Sequence, residues 1–231
     1  MFDVALPESL ATARERLHRA LEHAGRPLDD ALLLAVSKTK PESAVRQAHQ
    51  LGQRDFGENY LQEALDKQTA LSELDDIVWH FIGPLQSNKT RSVAERFAWV
   101  HSVDRLKIAQ RLNEQRPATL APLNVCLQVN ISREPSKSGV APEETLALAR
   151  EILTLPRLRL RGLMAIPAPA ESMAQQQAPF AALRKLRDEL QASLPEALLD
   201  TLSMGMSDDL EAAVTEGATI VRLGSAIFGA R

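Results

Sequence analysis

Cysteine is almost missing. Cys126 is the only one in 231 residues, so no intrachain disulfide can form. One thiol in a chain of this length suits a reducing compartment. Aromatic side chains make up only 4%, with a single tyrosine, Tyr60, which restricts the supply of acid–base groups. No apolar run approaches the roughly 20 residues that a membrane helix needs. The first residues, Met1 to Arg14, lack the basic-then-apolar order of a secretory signal. The formal charge of −3 lacks the positive excess that a nucleic acid or an anionic membrane surface selects. His18, His23, His49, His80 and His101 show no zinc-type spacing, and Cys126 sits in an apolar run, which argues against a metal. These absences lead us to expect a cytoplasmic protein with neither nucleic acid nor membrane as its partner.

What is present is an ordinary globular balance, 45% hydrophobic and 25% charged. Leu10, Ala13, Leu17, Ala20, Leu21 and Ala24 recur at helical spacing, and Gly25 then Pro27 supply a stop. The run from Leu32 to Lys38 has strand length without alternation, as in a parallel strand covered on both faces. Short apolar runs recur near residues 55–56, 77–82, 98–103, 123–130, 158–166, 199–204 and 220–223, with amphipathic segments between them. Alternation of strand and helix implies right-handed parallel crossovers. Eight such units predict an α/β fold, a single-domain (β/α)8 TIM barrel over residues 1–231 with an additional N-terminal helix. An open doubly wound sheet is the competing layout, but no Gly-x-Gly-x-x-Gly follows the first strand. The Pro-, Ala- and Gln-rich stretch from Pro167 to Gln177 reads as an exposed loop after the sixth strand. Arg157, Arg159 and Arg161 alternate with Leu158 and Leu160, which reads as one strand with a charged entry face.

Chemistry in such barrels sits at the C-terminal ends of the strands. Lys38 closes the first strand, where partial desolvation would favour the neutral amine, a nucleophile able to form a Schiff base with an aldehyde. Lys40 shares that loop, so position alone does not decide between the two amines, and a strand-end lysine can equally extend into water. From Ser203 to Glu211 a strand ends, Gly205 turns the chain and a helix begins near Ser207, which makes an anion cradle of backbone N–H groups and a hydroxyl. Ser207 or Asp208 can instead be a plain helix cap. Arg222-Leu223-Gly224-Ser225 ends the eighth strand, and loops after strands seven and eight often hold phosphate. Arg222 and Gly224 share a strand face; a structural salt bridge is the other use for Arg222. Because strand eight closes against strand one, an aldehyde that carries a phosphate fits between these features, and pyridoxal 5′-phosphate is the natural candidate.

The chain resembles the pyridoxal phosphate homeostasis protein family, whose barrel is of the alanine-racemase N-terminal type. The residues that carry the resemblance are Ala35 to Lys40, Phe56 to Tyr60, Trp79 to Lys89, Ser136 to Gly139, Gly162 to Pro167, Ser203 to Asp209 and Arg222 to Gly229. They run in order along nearly the whole chain. The resemblance implies a fold type III vitamin B6 protein with the cofactor held as an aldimine on Lys38. It implies Ser207, Gly224 and Ser225 at the phosphate, Arg222 at the ring nitrogen, and Asn59 and Ser203 near the cofactor. It further implies a monomer that keeps free cofactor and the related amino-acid and keto-acid pools in balance, without established catalytic turnover, and with apo-enzymes as recipients of the cofactor.

The residues bear on that last point. Arginine keeps its proton, so a ring nitrogen facing Arg222 stays unprotonated and the ring is a poorer electron sink. Racemases tolerate such an arginine. Racemisation also needs an acid–base group on each face of the α-carbon. The tyrosine that serves the second face in barrel racemases comes from a further β-domain, and this chain ends soon after the eighth strand. Tyr60 reads as ordinary helix packing, and His80 as a second base or a buried, hydrogen-bonded residue. Lys137 reads as a contact to the ring oxygen, a secondary acceptor amine or a solvated loop lysine. The alternatives to a holder are a narrow amino-acid racemase or lyase and, without the cofactor, a phosphosugar aldolase using Lys38.

Overall fold

The computed structural model describes residues 2–135 and 138–230. Eight strands close in chain order into one parallel barrel: β1 (Leu32–Val36), β2 (Asp55–Glu58), β3 (Val78–Phe81), β4 (Trp99–Val103), β5 (Leu123–Gln128), β6 (Leu158–Met164), β7 (Thr201–Ser203) and β8 (Ile220–Leu223). Leu34 pairs with Arg222 across the closing β1–β8 seam. The helices are α1 (Leu6–His23), α2 (Glu42–Gln50), α3 (Leu61–Ala70), α4 (Thr90–Arg96), α5 (Leu106–Gln115), α6 (Thr145–Leu153), α7 (Met173–Ser193), α8 (Leu210–Thr215) and α9 (Ser225–Phe228). The expected barrel with its extra N-terminal helix is therefore the observed fold.

Alternation along each strand separates two interiors. Outward residues such as Phe56, Phe81, Val100, Leu202, Val221 and Leu223 join the main core between sheet and helices. Inward residues form a small apolar cluster of Leu34, Val36, Ile82 and Ile220. The same lumen also holds buried His80, His101, Ser203 and Arg222. Helix α1 lays Leu6, Leu10, Ala13, Leu17 and Leu21 against the short α8 and α9, covering the side of the barrel that those two helices leave thin.

Two boundaries differ from expectation. The loop after β6 stops at Ser172, because Ser172 and Gln175 form a capping box that starts α7. Residues 173–177 are therefore helical. Helix α8 starts at Leu210 rather than near Ser207, because the Asp209 carboxylate accepts the Met206 N–H at 2.7 Å and holds residues 206–209 in a turn. Neither Ser207 nor Asp208 is its cap. No helix among the described residues is long and apolar enough to cross a membrane.

Candidate functional site

A cavity of about 350 Å³ opens at the C-terminal mouth of the barrel. That is the size range of a small-ligand site. Six of the seven sequence-predicted residues line it: Lys38, Asn59, Ser207, Arg222, Gly224 and Ser225. The seventh, Ser203, lies fully buried behind Arg222. A second cavity of the same volume, at the opposite rim, is lined by Arg161 and Asp200, which form an ion pair at 2.9 Å. Volume does not distinguish the two cavities; the chemistry of the lining does.

Lys38 lies two residues beyond the last residue of β1, in a turn rather than at the strand terminus. The turn closes through the Lys40 N–H to the Ser37 carbonyl at 3.1 Å. Thr39 adopts a φ of 66°, unusual for a β-branched residue. Its N–H donates to the Glu63 carboxylate at 2.6 Å. Behind the turn, Lys67 of α3 donates to the Ser37 carbonyl at 2.7 Å, to Glu58 at 2.7 Å and to Glu63 at 2.9 Å. The Ser37 hydroxyl also donates to Glu58, at 2.8 Å. Burial pushes the Glu58 carboxyl up, against the pull of Lys67 and Ser37. This ionic knot outside the barrel wall fixes the residues on either side of Lys38. Lys40 also lines the cavity, and its ammonium donates to the Ala230 carbonyl at 2.8 Å.

The other wall comes from β7, β8 and the turns after them. Gly205, at φ 103°, makes the turn; a Cβ there would lie 2.7 Å from the Ala213 methyl. The Arg16 guanidinium donates to the Ser207 carbonyl at 2.6 Å and to Glu211 at 2.8 Å, tying the Ser207 turn to α1. Arg222 is almost fully buried. It donates to the Ser203 hydroxyl at 2.7 Å and to the Ala165 carbonyl at 3.0 Å, both neutral acceptors. Burial pushes its pKa down to about 10, with Asp209 opposing, and leaves it a cation at neutral pH. A guanidinium has five N–H donors, so donors remain for a ligand in the cavity. Gly224 lies where β8 approaches β1; a Cβ would sit 3.3 Å from the Val36 carbonyl.

Asn59 lines the cavity, with its side-chain oxygen buried and no partner for it among the described residues. A Cβ on Gly83 would come within 2.3 Å of the Asn59 carbonyl, so only glycine lets the chain leaving β3 pass there. Tyr60 is 48% exposed and does not line the cavity. His80 is fully buried in the lumen, bonded to Asp55 and His101, which settles it as a buried residue rather than a base at the mouth. Lys137 lies outside the described residues. Sequence reasoning missed the hydrophobic lining, Val36, Ile82, Ile166 and Met206. It also missed the lumen histidines as a group, although each occupies an inward position of an apolar strand.

The chain as a whole is similar to proteins already known. The profile of the alanine racemase N-terminal domain matches residues 9–231. The pyridoxal phosphate homeostasis protein of Pseudomonas aeruginosa is 63% identical over 226 residues, covering 98% of this chain and 96% of the relative. PipY of Synechococcus elongatus, solved with pyridoxal phosphate bound, is 40% identical with a TM-score of 0.86, covering 97% of this chain and 100% of that one. Alanine racemase of Corynebacterium glutamicum shares the fold at 17% identity and a TM-score of 0.72, with 61% of its chain covered. The chain thus belongs to the pyridoxal phosphate homeostasis protein family, within the alanine racemase N-terminal-domain fold.

Proposed function

We propose that this chain binds pyridoxal 5′-phosphate at the barrel mouth, joined covalently to Lys38, and keeps the cofactor available in the cell rather than turning over a substrate. The observation that carries this reading is the convergence of Lys38, Arg222, Ser207 and Ser225 on one cavity. When bound, the cofactor supplies an aldehyde that condenses reversibly with amines. Lys38 would supply the amine for that condensation. Ser207, Gly224 and Ser225 receive the phosphate through hydroxyl and backbone donors, where the missing Gly224 side chain admits close approach. Arg222 donates to the ring nitrogen. Asn59 offers its buried, unpartnered oxygen or its amide N–H groups to the ring substituents.

Two features favour holding over catalysis. An arginine that holds its proton, with a pKa of about 10, does not protonate the ring, so the ring remains a weak electron sink. Among the described residues, the titratable side chains on the cavity are Lys38, Lys40, Asp208 and Arg222; Tyr60 stands away from it. A holder of this kind serves free amines or apo-enzymes as recipients, and acts as a monomer.

Absorbance tests the reading. Added pyridoxal 5′-phosphate gives the purified protein a visible band that Lys38→Ala abolishes, and borohydride reduction followed by peptide mapping places the adduct on Lys38. A colourless protein with no adduct at Lys38 overturns the reading. Proton–deuterium exchange at the α-carbon of any amino acid in a panel would instead establish a racemase or lyase.

A further inference from the structure

A line of hydrogen bonds crosses the barrel lumen from one rim to the other. Asp55, at the start of β2, meets His80 Nε2 at 2.9 Å. His80 Nδ1 meets His101 Nε2 at 2.9 Å. His101 Nδ1 meets the Ser203 hydroxyl at 2.7 Å, and Arg222 Nη1 donates to that same hydroxyl at 2.7 Å. Each histidine is fully buried, and Trp99 stacks on His80 with centroids 5.4 Å apart and planes 12° from parallel.

Hydrogen-bond chemistry fixes the direction of the line. A carboxylate only accepts, so His80 carries its proton on Nε2. A neutral imidazole has one donor and one acceptor, so His80 Nδ1 accepts and His101 donates from its own Nε2. His101 Nδ1 then accepts, and the Ser203 hydroxyl gives its proton to it. The Ser203 oxygen is left as an acceptor for Arg222. Every bond points the same way: Arg222 to Ser203, Ser203 to His101, His101 to His80, His80 to Asp55. The reversed line needs an imidazolium at His80 and strands the Ser203 proton between two donors, His101 and Arg222. Burial holds both histidines below the usual imidazole range, against the pull of Asp55 on His80 and with His80 and Arg222 adding to the effect on His101. Arg161, which lies 4.7 Å over Trp99, is the other nearby cation, and Asp200 pairs with it.

We propose that Asp55, His80, His101 and Ser203 are positioning residues: the carboxylate at the closed rim sets the polarity of the line, which makes Ser203 an obligate acceptor and locks the Arg222 guanidinium as a donor facing the ring nitrogen of the bound cofactor. The last link rests on the reading of the cavity given above. The lock has two anchors on Arg222, since the Ala165 carbonyl takes a proton from Nη2 while Ser203 takes one from Nη1. Asp55→Asn is the informative change, because an amide that flips can donate as well as accept. It releases the direction of the line without removing a hydrogen-bonding group.

Nitrogen-15 NMR of the histidine rings in the ligand-free protein is the first arm of the test. His80 and His101 are expected as neutral Nε2–H tautomers at pH 7.5. Asp55→Asn mixes the tautomers, and Asp55→Glu restores them. An Nδ1–H tautomer or an imidazolium at either position in the unmodified protein overturns the proposal, as do unchanged tautomers in Asp55→Asn. The second arm is equilibrium binding of pyridoxal 5′-phosphate. Asp55→Asn and Ser203→Ala each weaken it roughly tenfold, the loss of about one well-made hydrogen bond, and Asp55→Glu recovers most of that. Undiminished affinity in both variants overturns the coupling to Arg222. If Asp55→Asn does not fold, Ser203→Ala decides, with weakened binding and unchanged tautomers expected. The first arm needs no cofactor, so a failure of the cofactor reading shows only in the second arm and in the Lys38→Ala spectrum.

Discussion

Two buried cations approach the Lys38 turn from opposite sides of the barrel wall, and they are satisfied in opposite ways. Lys67, outside the wall, donates to two carboxylates and a backbone carbonyl. Arg222, inside the lumen, donates to a hydroxyl and a carbonyl and meets no carboxylate at contact distance among the described residues. A cation surrounded by acids is complete, and its removal exposes the acids. Neutral partners alone do not mark a ligand site, since Arg116 is equally buried and donates to the Ala94, Phe97 and Ala121 carbonyls; Arg222 differs from it in lining the cavity at the barrel mouth. Lys67 is thus satisfied within the fold, whereas Arg222 lines the cavity with donors to spare. The second-rim arginine, Arg161, follows the Lys67 pattern, since Asp200 pairs with it.

The comparison breaks most visibly at Lys67. Lys67→Met leaves the fully buried Glu58 without its cation, a change that typically costs about 3–5 kcal/mol. Urea unfolding at neutral pH measures it, and a loss below about 1 kcal/mol would show that Lys67 is as incomplete as Arg222. Arg222→Gln behaves in the reverse manner. The amide keeps donors for Ser203 and Ala165, so the ligand-free stability stays within about 1 kcal/mol. Cofactor retention falls by roughly a hundredfold, as expected when a charged donor to the ligand is lost. Equal loss of stability and retention in this variant would erase the distinction.

Acid sharpens the same contrast. His80 and His101, behind Arg222, are held below the usual imidazole value of 6.5 by burial. Unfolded chains take up protons there that the folded chain does not. The stability present above pH 6.5 is therefore lost as pH falls below it, by about 1.4 kcal/mol per pH unit for each histidine until its folded pKa is reached. Glu58 has the opposite sign: its folded pKa is raised, so its contribution favours the fold at low pH and fades as pH rises through that pKa. Urea midpoints at pH 7.5 and 5.5 measure the sum. The double variant His80→Gln, His101→Gln removes the acid sensitivity if the histidines carry it. Sensitivity that survives in that variant would move its source elsewhere.

The barrel was legible because each strand is a short apolar run and each crossover a helical one, a pattern that depends only on local burial. Lys38, Ser207, Arg222, Gly224 and Ser225 were legible because strand ends in a barrel converge on one rim, while Asn59 was singled out by the family resemblance alone. The start of α8 was misplaced because Asp209 caps a turn through its own side chain, a choice that competes with a cap at Ser207 and leaves the same residues in the sequence. Lys67 stands four residues after Glu63 in the sequence, but its burial against Glu58 comes only from the packing of α3 on β2. The lumen line draws one residue from each of β2, β3, β4, β7 and β8, so no window of sequence contains it. Strand parity does mark its members, because Asp55, His80, His101, Ser203 and Arg222 all occupy inward positions.

Thr39 tests where the two regions meet. It lies between Lys38 and Lys40 at φ 66°, held there by Glu63 from the Lys67 side of the wall. A left-handed conformation costs a non-glycine residue roughly 1–2 kcal/mol, while glycine loses roughly 0.5–1 kcal/mol more backbone entropy on folding. Thr39→Gly is therefore expected to stabilise the ligand-free protein by up to about 1 kcal/mol in urea unfolding. If the strain serves only to make the turn, cofactor retention stays unchanged. If it aims Lys38 at the cavity, retention falls as stability rises, the signature of strain kept for function. A destabilised variant would show instead that the Glu63 bond to the Thr39 N–H depends on the threonine side chain, and that the outer knot reaches Lys38 through this residue.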